Sequence, residues 1–242
     1  MTTARFYVSG QALSSGRLVL EGPEHHHASR VLRMRAGESI ILMDGKGCIG
    51  RGTIESITPA GTSVVVNETS QAVEERPLLH LFQGIPGGSK MDGVVQGGVE
   101  LGAASLQPFL AARSRRAHAT YAGKVKRWRR IALEAARVAG RPFLPEVAEV
   151  RSWDEVLALL EGMDLALFAD EAGGERPATA LAGRNPGELA LLVGPEGGLA
   201  EEERKSLAEA GALPVSLGSN ILRTETAGMV LMAAVRCHYG LL

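Results

Sequence analysis

Cysteine is scarce: Cys48 and Cys237 are the only two in 242 residues, far apart and in no CxxC pair. That excludes a disulfide framework and a cysteine zinc site, and it points to a reducing, cytoplasmic setting. Long hydrophobic runs are missing too. The longest late one, AGMVLMAAV from Ala227 to Val235, stops at Arg236 and is too short to cross a bilayer, so no membrane partner is expected. The opening MTTARFYVSG has no long apolar segment after a basic start, so no signal peptide is expected. There is no internal repeat and no low-complexity segment. Net charge is nearly absent, at −1, and by itself says nothing of partners. One absence is local. From Arg113 to Arg130 there is no Asp or Glu, while eight of 18 residues are Lys or Arg. A neutral chain with one basic segment is compatible with a local polyanion contact.

What is present is globular in character: 45% hydrophobic and 22% charged residues, enough to build a core without staples. Residues 1–70 read as small β structure. RFYV, GRLVL, SIILMD, IGRGTIESI and TSVVVNE are short runs separated by Gly, Asp or Pro. One helix fits among them, Glu24 to Met34, and a barrel-like domain is expected. Residues 71–77 are polar, end in proline and read as a linker. From 78 to 242 strands alternate with helices, which predicts an α/β domain with a mostly parallel sheet. LLHLFQ, LQPFL, DLALFAD, ELALLVG and LPVSLG read as strands. Helices are expected over Lys90–Leu101 (against three internal glycines), Lys124–Ala139, SWDEVLALLE with Ser152 as N-cap and Glu155 three residues on, Glu201–Ala210 and Thr224–Tyr239.

Ligands of such sheets sit beyond the carboxyl ends of the strands. Two strand ends stand out, LLVGPEGG and VSLGSNILRTETA. Gly194-Pro-Glu-Gly-Gly is not G-x-G-x-x-G, and no acid follows at the place where that motif holds a ribose. GIPGGSKMD, Gly84 to Asp92, lacks the Gly before Lys90 and the Ser or Thr after it that a phosphate loop needs. A helix N-terminus attracts phosphate, but Glu201, Glu202 and Glu203 already occupy this one. Gly197 and Gly198 then serve close backbone approach to a neutral base edge. The apolar pair Ile221-Leu222 can wall a flat base. The predicted ligand is a nucleoside without phosphates, and S-adenosylmethionine fits.

LLVGPEGGLAEEE followed by VSLGSNILRTETAGMVLMA resembles the SPOUT class of RNA methyltransferases, and more narrowly the bacterial 16S ribosomal RNA (uracil-N3)-methyltransferase family. VLRMRAGESIILMDGKG, Val31 to Gly47, is similar to that family's PUA-like barrel. The similarity covers nearly the whole chain. It implies a C-terminal domain with a trefoil knot, a cofactor site within about residues 190–228, a homodimer, and a uridine of 16S rRNA, within the assembled small subunit, as substrate. The cofactor residues it implies on the first turn are Leu192, Val193, Gly194, Pro195, Glu196, Gly197 and Gly198. On the second they are Leu217, Gly218, Ile221, Leu222, Arg223, Thr226 and Ala227. The pattern is broken at Gly87 and Gly97, where the family usually has Lys, at Ala112, where it has an acid, and at Val138, where it has Gln.

Uridine N3 becomes a nucleophile only on losing its proton, which places negative charge on O2 and O4. Arg223 is the candidate donor to one of those oxygens. Glu196 and Glu225 are the nearest carboxylates in sequence. Either takes the proton or is structural, Glu196 bonding backbone and Glu225 pairing a cation; loss to water is the third route. Arg113, Arg115, Arg116, Lys124, Lys126, Arg127, Arg129 and Arg130 are candidate rRNA-backbone contacts, extended by Arg30, Arg33 and Arg35. Trp128 is expected in the core of its helix. Three adjacent histidines, His25–His27, cannot all face one ion from a helix, so no metal is expected. The rival readings are a non-catalytic RNA-binding protein, a methyltransferase with another RNA target, and a phosphate-nucleotide enzyme, which the glutamate-rich helix start disfavours.

Overall fold

The computed structural model describes residues 3–8, 13–114 and 121–242, and separates into two compact units. The first comprises residues up to Glu74 together with 136–144. It holds β1 (Ala4–Tyr7), β2 (Gly16–Leu20), α1 (Gly22–His26), β3 (Ser39–Met43), β4 (Cys48–Thr58) and β5 (Gly61–Gln71). They form one sheet in the order β1-β3-β4-β5-β2, antiparallel except for β1 beside β3. Alternate residues bury Phe6, Leu20, Ile40, Leu42, Ile54 and Val64 on one face. The helix expected over Glu24–Met34 breaks in two. Pro23 starts α1, and His27–Val31 widens into a π turn in which the Leu32 N–H reaches the His27 carbonyl. The His27 ring packs edge-on against Phe6, and His25 bonds Thr62.

The second unit holds β6 (Leu78–Gly84), α2 (Lys90–Glu100), β7 (Ala103–Phe109), α3 (Ala122–Ala139), whose last turn counts with the first unit, and β8 (Glu146–Val147). These are followed by α4 (Trp153–Leu160), β9 (Leu165–Ala169), α5 (Pro177–Leu181), β10 (Glu188–Val193), α6 (Glu201–Glu209), β11 (Leu213–Val215) and α7 (Thr224–His238). Its six strands run parallel in the order β11-β9-β10-β6-β7-β8. Trp128 is buried on α3, and Ser152 with Glu155 closes the capping box of α4. β8 and α5 were not foreseen; at two and five residues they are too short to show a period. LPVSLG pairs only through Val215. Beyond it Ser216 bonds Glu175 and Gly218 turns at φ +115°, so the chain leaves the sheet. The glycines that argued against α2 are what seats it: a Cβ on Gly97 would lie 2.5 Å from Met229 Sδ of α7, and one on Gly98 2.9 Å from Leu106.

Candidate functional site

A cavity of about 620 Å³ opens beyond the carboxyl ends of β9, β10 and β11. Both glycine turns line it. The first contributes Val193, Gly194, Pro195, Glu196 and Gly198; the second contributes Leu217, Gly218, Ile221, Leu222, Arg223 and Ala227. Leu192, Gly197 and Thr226 do not reach it. Leu192 points from β10 into the core beside Phe82 and Phe168, the Gly197 carbonyl is taken by Arg113, and Thr226 is exposed on the outer side of α7. The sequence reading missed Lys90, Ala169, Asp170, Glu171, Leu199, Arg204, Ser219, Asn220 and Thr224 as lining residues. Lys90 lies at the start of α2, and Ala169 to Glu171 end a strand that carries no glycine signal, so nothing local marked them.

The two turns are held by buried polar bonds. Gln83, fully buried at the end of β6, donates its amide to Thr224 Oγ1, and that hydroxyl donates to the Gly194 carbonyl. The last residue of β6 must be glycine, since a Cβ on Gly84 would stand 2.6 Å from the Pro195 ring. The segment Gly84–Asp92 does bind an anion, but the anion is the protein's own. Glu196 accepts the Gly87 N–H at 2.9 Å and the Lys90 ammonium at 3.0 Å. Burial opposes ionisation of Glu196, yet the Lys90 and Gly87 bonds outweigh it and hold its carboxyl below the usual range. Glu225 does not line the cavity. It stands behind Lys90, with Oε2 buried, 3.9 Å from the ammonium and without a hydrogen bond.

The three glutamates opening α6 have separate fates. Glu203 is buried and accepts the N–H groups of Ala112 and Ala200, Glu201 pairs with Arg204, and Glu202 is exposed. The start of α6 is therefore sealed by its own side chain. Ala112, where the resemblance led to an acid, uses its backbone here instead. Arg113 donates to Gly197 O at 3.0 Å, which fastens the beginning of the basic segment to the first glycine turn. Arg115 and Arg116 lie outside the described residues. Arg127 pairs with Asp92, and Arg129 with Glu149 and the Val147 carbonyl. Lys124 sits 5.1 Å over the Tyr121 ring. Lys126 and Arg130 are exposed and take part in no ion pair with a described residue. In the first unit Arg30, Arg33 and Arg35 are exposed, and Arg33 has a left-handed backbone at φ +53°. Val138, at the end of α3, is 75% exposed.

Among the described residues no group of three or more His, Cys, Asp or Glu is placed to hold a metal, and no helix is long and apolar enough to cross a membrane. The RNA methyltransferase domain family matches residues 74–236, and the RNA methyltransferase PUA domain family matches residues 20–64. Ribosomal RNA small subunit methyltransferase E of Bacillus subtilis is 34% identical over 89% of this chain and 88% of its own length. The enzyme of the same name from Mycobacterium bovis is 33% identical over 97% and 92%. The crystal structure of the Neisseria gonorrhoeae ribosomal RNA small subunit methyltransferase E, bound to S-adenosyl methionine, superposes with a TM-score of 0.87 at 29% identity, covering 98% of each chain. With both domains matched along the chain, this protein belongs to the RNA methyltransferase family that includes the ribosomal RNA small subunit methyltransferase E enzymes.

Proposed function

We propose that the chain methylates N3 of a uridine in 16S rRNA with S-adenosylmethionine as donor. The observation that carries the reading is the single cavity walled by both glycine turns, with Arg223 on its rim, in a chain of this family. Its volume is in the range of small-molecule sites. The residues fit a nucleoside without phosphates: Ile221 and Leu222 offer an apolar wall, and Gly194 and Gly198 line the cavity without side chains. The anion-binding groups beside it, the Gly87 N–H and the Lys90 ammonium, are taken by Glu196.

When bound, S-adenosylmethionine supplies a sulfonium-activated methyl group. The chain's own part is alignment and charge. Arg223 lies on the cavity wall, exposed, where its guanidinium can donate to the uracil oxygen that gains charge as N3 loses its proton. Glu196 is a poor proton acceptor, because protonation would cost it the ion pair with Lys90 and weaken its bond to the Gly87 N–H. Glu225 stands outside the cavity. These placements favour loss of the N3 proton to water. Among the described candidates, Lys124, Lys126 and Arg130, with Arg30, Arg33 and Arg35, are the cations left to meet rRNA phosphates. Action on the assembled small subunit, a homodimer, the knotted chain path and a cytoplasmic location belong to the proposal on the strength of the family resemblance.

Calorimetric titration with S-adenosylmethionine and, separately, with ATP tests the pocket: donor binding without ATP binding is expected. Mass mapping of rRNA from a deletion strain, before and after adding purified protein and donor, tests the reaction. Donor binding without a methyl mark at uridine N3 would leave an RNA-binding protein or another target. Reversing the charge of Lys126 and Arg130 is expected to reduce the salt slope of rRNA binding by about one per site.

A further inference from the structure

The acid that a ribose site needs is missing downstream of the GPEGG turn in sequence, but it is present beside it in space. β9 lies next to β10 in the sheet, so the residues that leave its carboxyl end emerge beside the glycine turn that follows Val193. They are Asp170 and Glu171, and both line the cavity. Their situations differ. Asp170 is committed to its own loop, accepting the Ala172 N–H at 3.0 Å and facing Arg204 at 3.9 Å. Glu171 is exposed; the Arg204 guanidinium acts on it through space, without a hydrogen bond or close ion pair to it among the described residues. Its carboxylate lies over the turn itself: a Cβ added to Gly198, where φ is +67°, would stand 3.2 Å from Glu171 Oε1. Glycine at 198 therefore lets an exposed carboxylate and the turn's backbone share one wall of the cavity.

A glycine turn after one parallel strand, with a carboxylate at the end of the neighbouring strand, is how α/β nucleoside sites are built. The turn admits the nucleoside, and the acid accepts hydrogen bonds from the ribose diol. Here the acid comes from the strand that precedes the turn in sequence. We propose that Glu171 is the ribose-reading residue of this cavity, accepting the 2′- and 3′-hydroxyls of the methyl donor. This rests on the methyl-donor reading of the cavity. A carboxylate also suits an ammonium, and the donor carries one at its amino-acid end, so the test must separate the two.

The experiment titrates the full-length protein and its Glu171→Gln and Glu171→Ala variants with S-adenosylmethionine and with 5′-methylthioadenosine, which keeps the ribose and lacks the amino acid. Glu202→Gln, a charge removed from an exposed site on α6 outside the cavity, serves as the control, and melting temperatures verify folding. Both Glu171 variants are expected to raise the dissociation constants of both ligands by roughly tenfold, with the control unchanged. Equal affinity of wild type and variants for the donor would overturn the assignment. So would a loss confined to S-adenosylmethionine, which would place the carboxylate on the ammonium instead. Wild-type protein that binds no donor at all would remove the reading of the cavity itself, a different outcome from either.

Discussion

α6 and α7 begin on the same cavity, each after a glycine turn and each with carboxylate in its first turn, yet they use their starts in opposite ways. α6 closes on itself. Glu203 folds back onto the Ala200 N–H and reaches across to Ala112, and Glu201 holds Arg204. α7 stays open. Arg223 at its N-cap carries no side-chain cap bond and lies on the cavity wall, while Thr224 behind it turns inward to tie down the Gly194 carbonyl. A helix start serves a ligand only where its side chains leave its face free. One of these starts braces the first turn and the head of the basic segment, and the other leaves its face open on the cavity wall.

Breaking the open start should have the largest effect. Arg223→Ala is expected to slow methyl transfer to rRNA about a hundredfold, some 3 kcal/mol of transition-state stabilisation, while donor affinity stays unchanged; single-turnover rates beside calorimetry measure both. A loss of donor affinity instead would leave Arg223 only the cofactor role that the resemblance implies for it. Next is the brace between the two starts. Thr224→Val leaves the Gln83 amide and the Gly194 carbonyl without their buried partner, and denaturant unfolding should show a loss of about 2 kcal/mol. The closed start should be less sensitive. Glu203→Gln keeps one acceptor oxygen and loses the other, so about 1 kcal/mol is expected, with turnover nearly intact.

The smallest effect sharpens the comparison through pH. The carboxyl of Glu196 is held below its ordinary value, so its ion pair with Lys90 stabilises the fold above the unfolded-state value of 4.5. That contribution is lost as pH falls through the folded-state value. The melting temperatures of wild type and Glu196→Gln should therefore differ most near neutral pH and converge as pH falls below 4.5. A gap independent of pH would mean that the Gly87 contact, and not the charge, is what Glu196 supplies.

Much of the second unit was legible because its signals are local. The apolar period of α3 and the buried runs of β9 and β10 follow from spacing, and the start of α4 from cap chemistry. The glycine turns were legible because few residues other than glycine and proline tolerate such bends. What misled was local too. Three glycines counted against α2, while Gly97 and Gly98 are set by the approach of Met229 and Leu106. The three glutamates of α6 read as one block of charge, although the fold buries one, pairs another and leaves the third in solvent.

By itself the sequence determined the two-part division of fold class, the parallel α/β sheet and the two turns that wall the cavity. These depend on spacing and on backbone freedom, which belong to neighbouring residues. Tertiary structure alone decided which carboxylates face the cavity. Glu196 is consumed by Gly87 and Lys90, Glu225 stands behind, and Glu171 arrives from an adjacent strand. Strand order in a parallel sheet is not strand order in the chain, and the burial and partners of a charge are properties of the space around it.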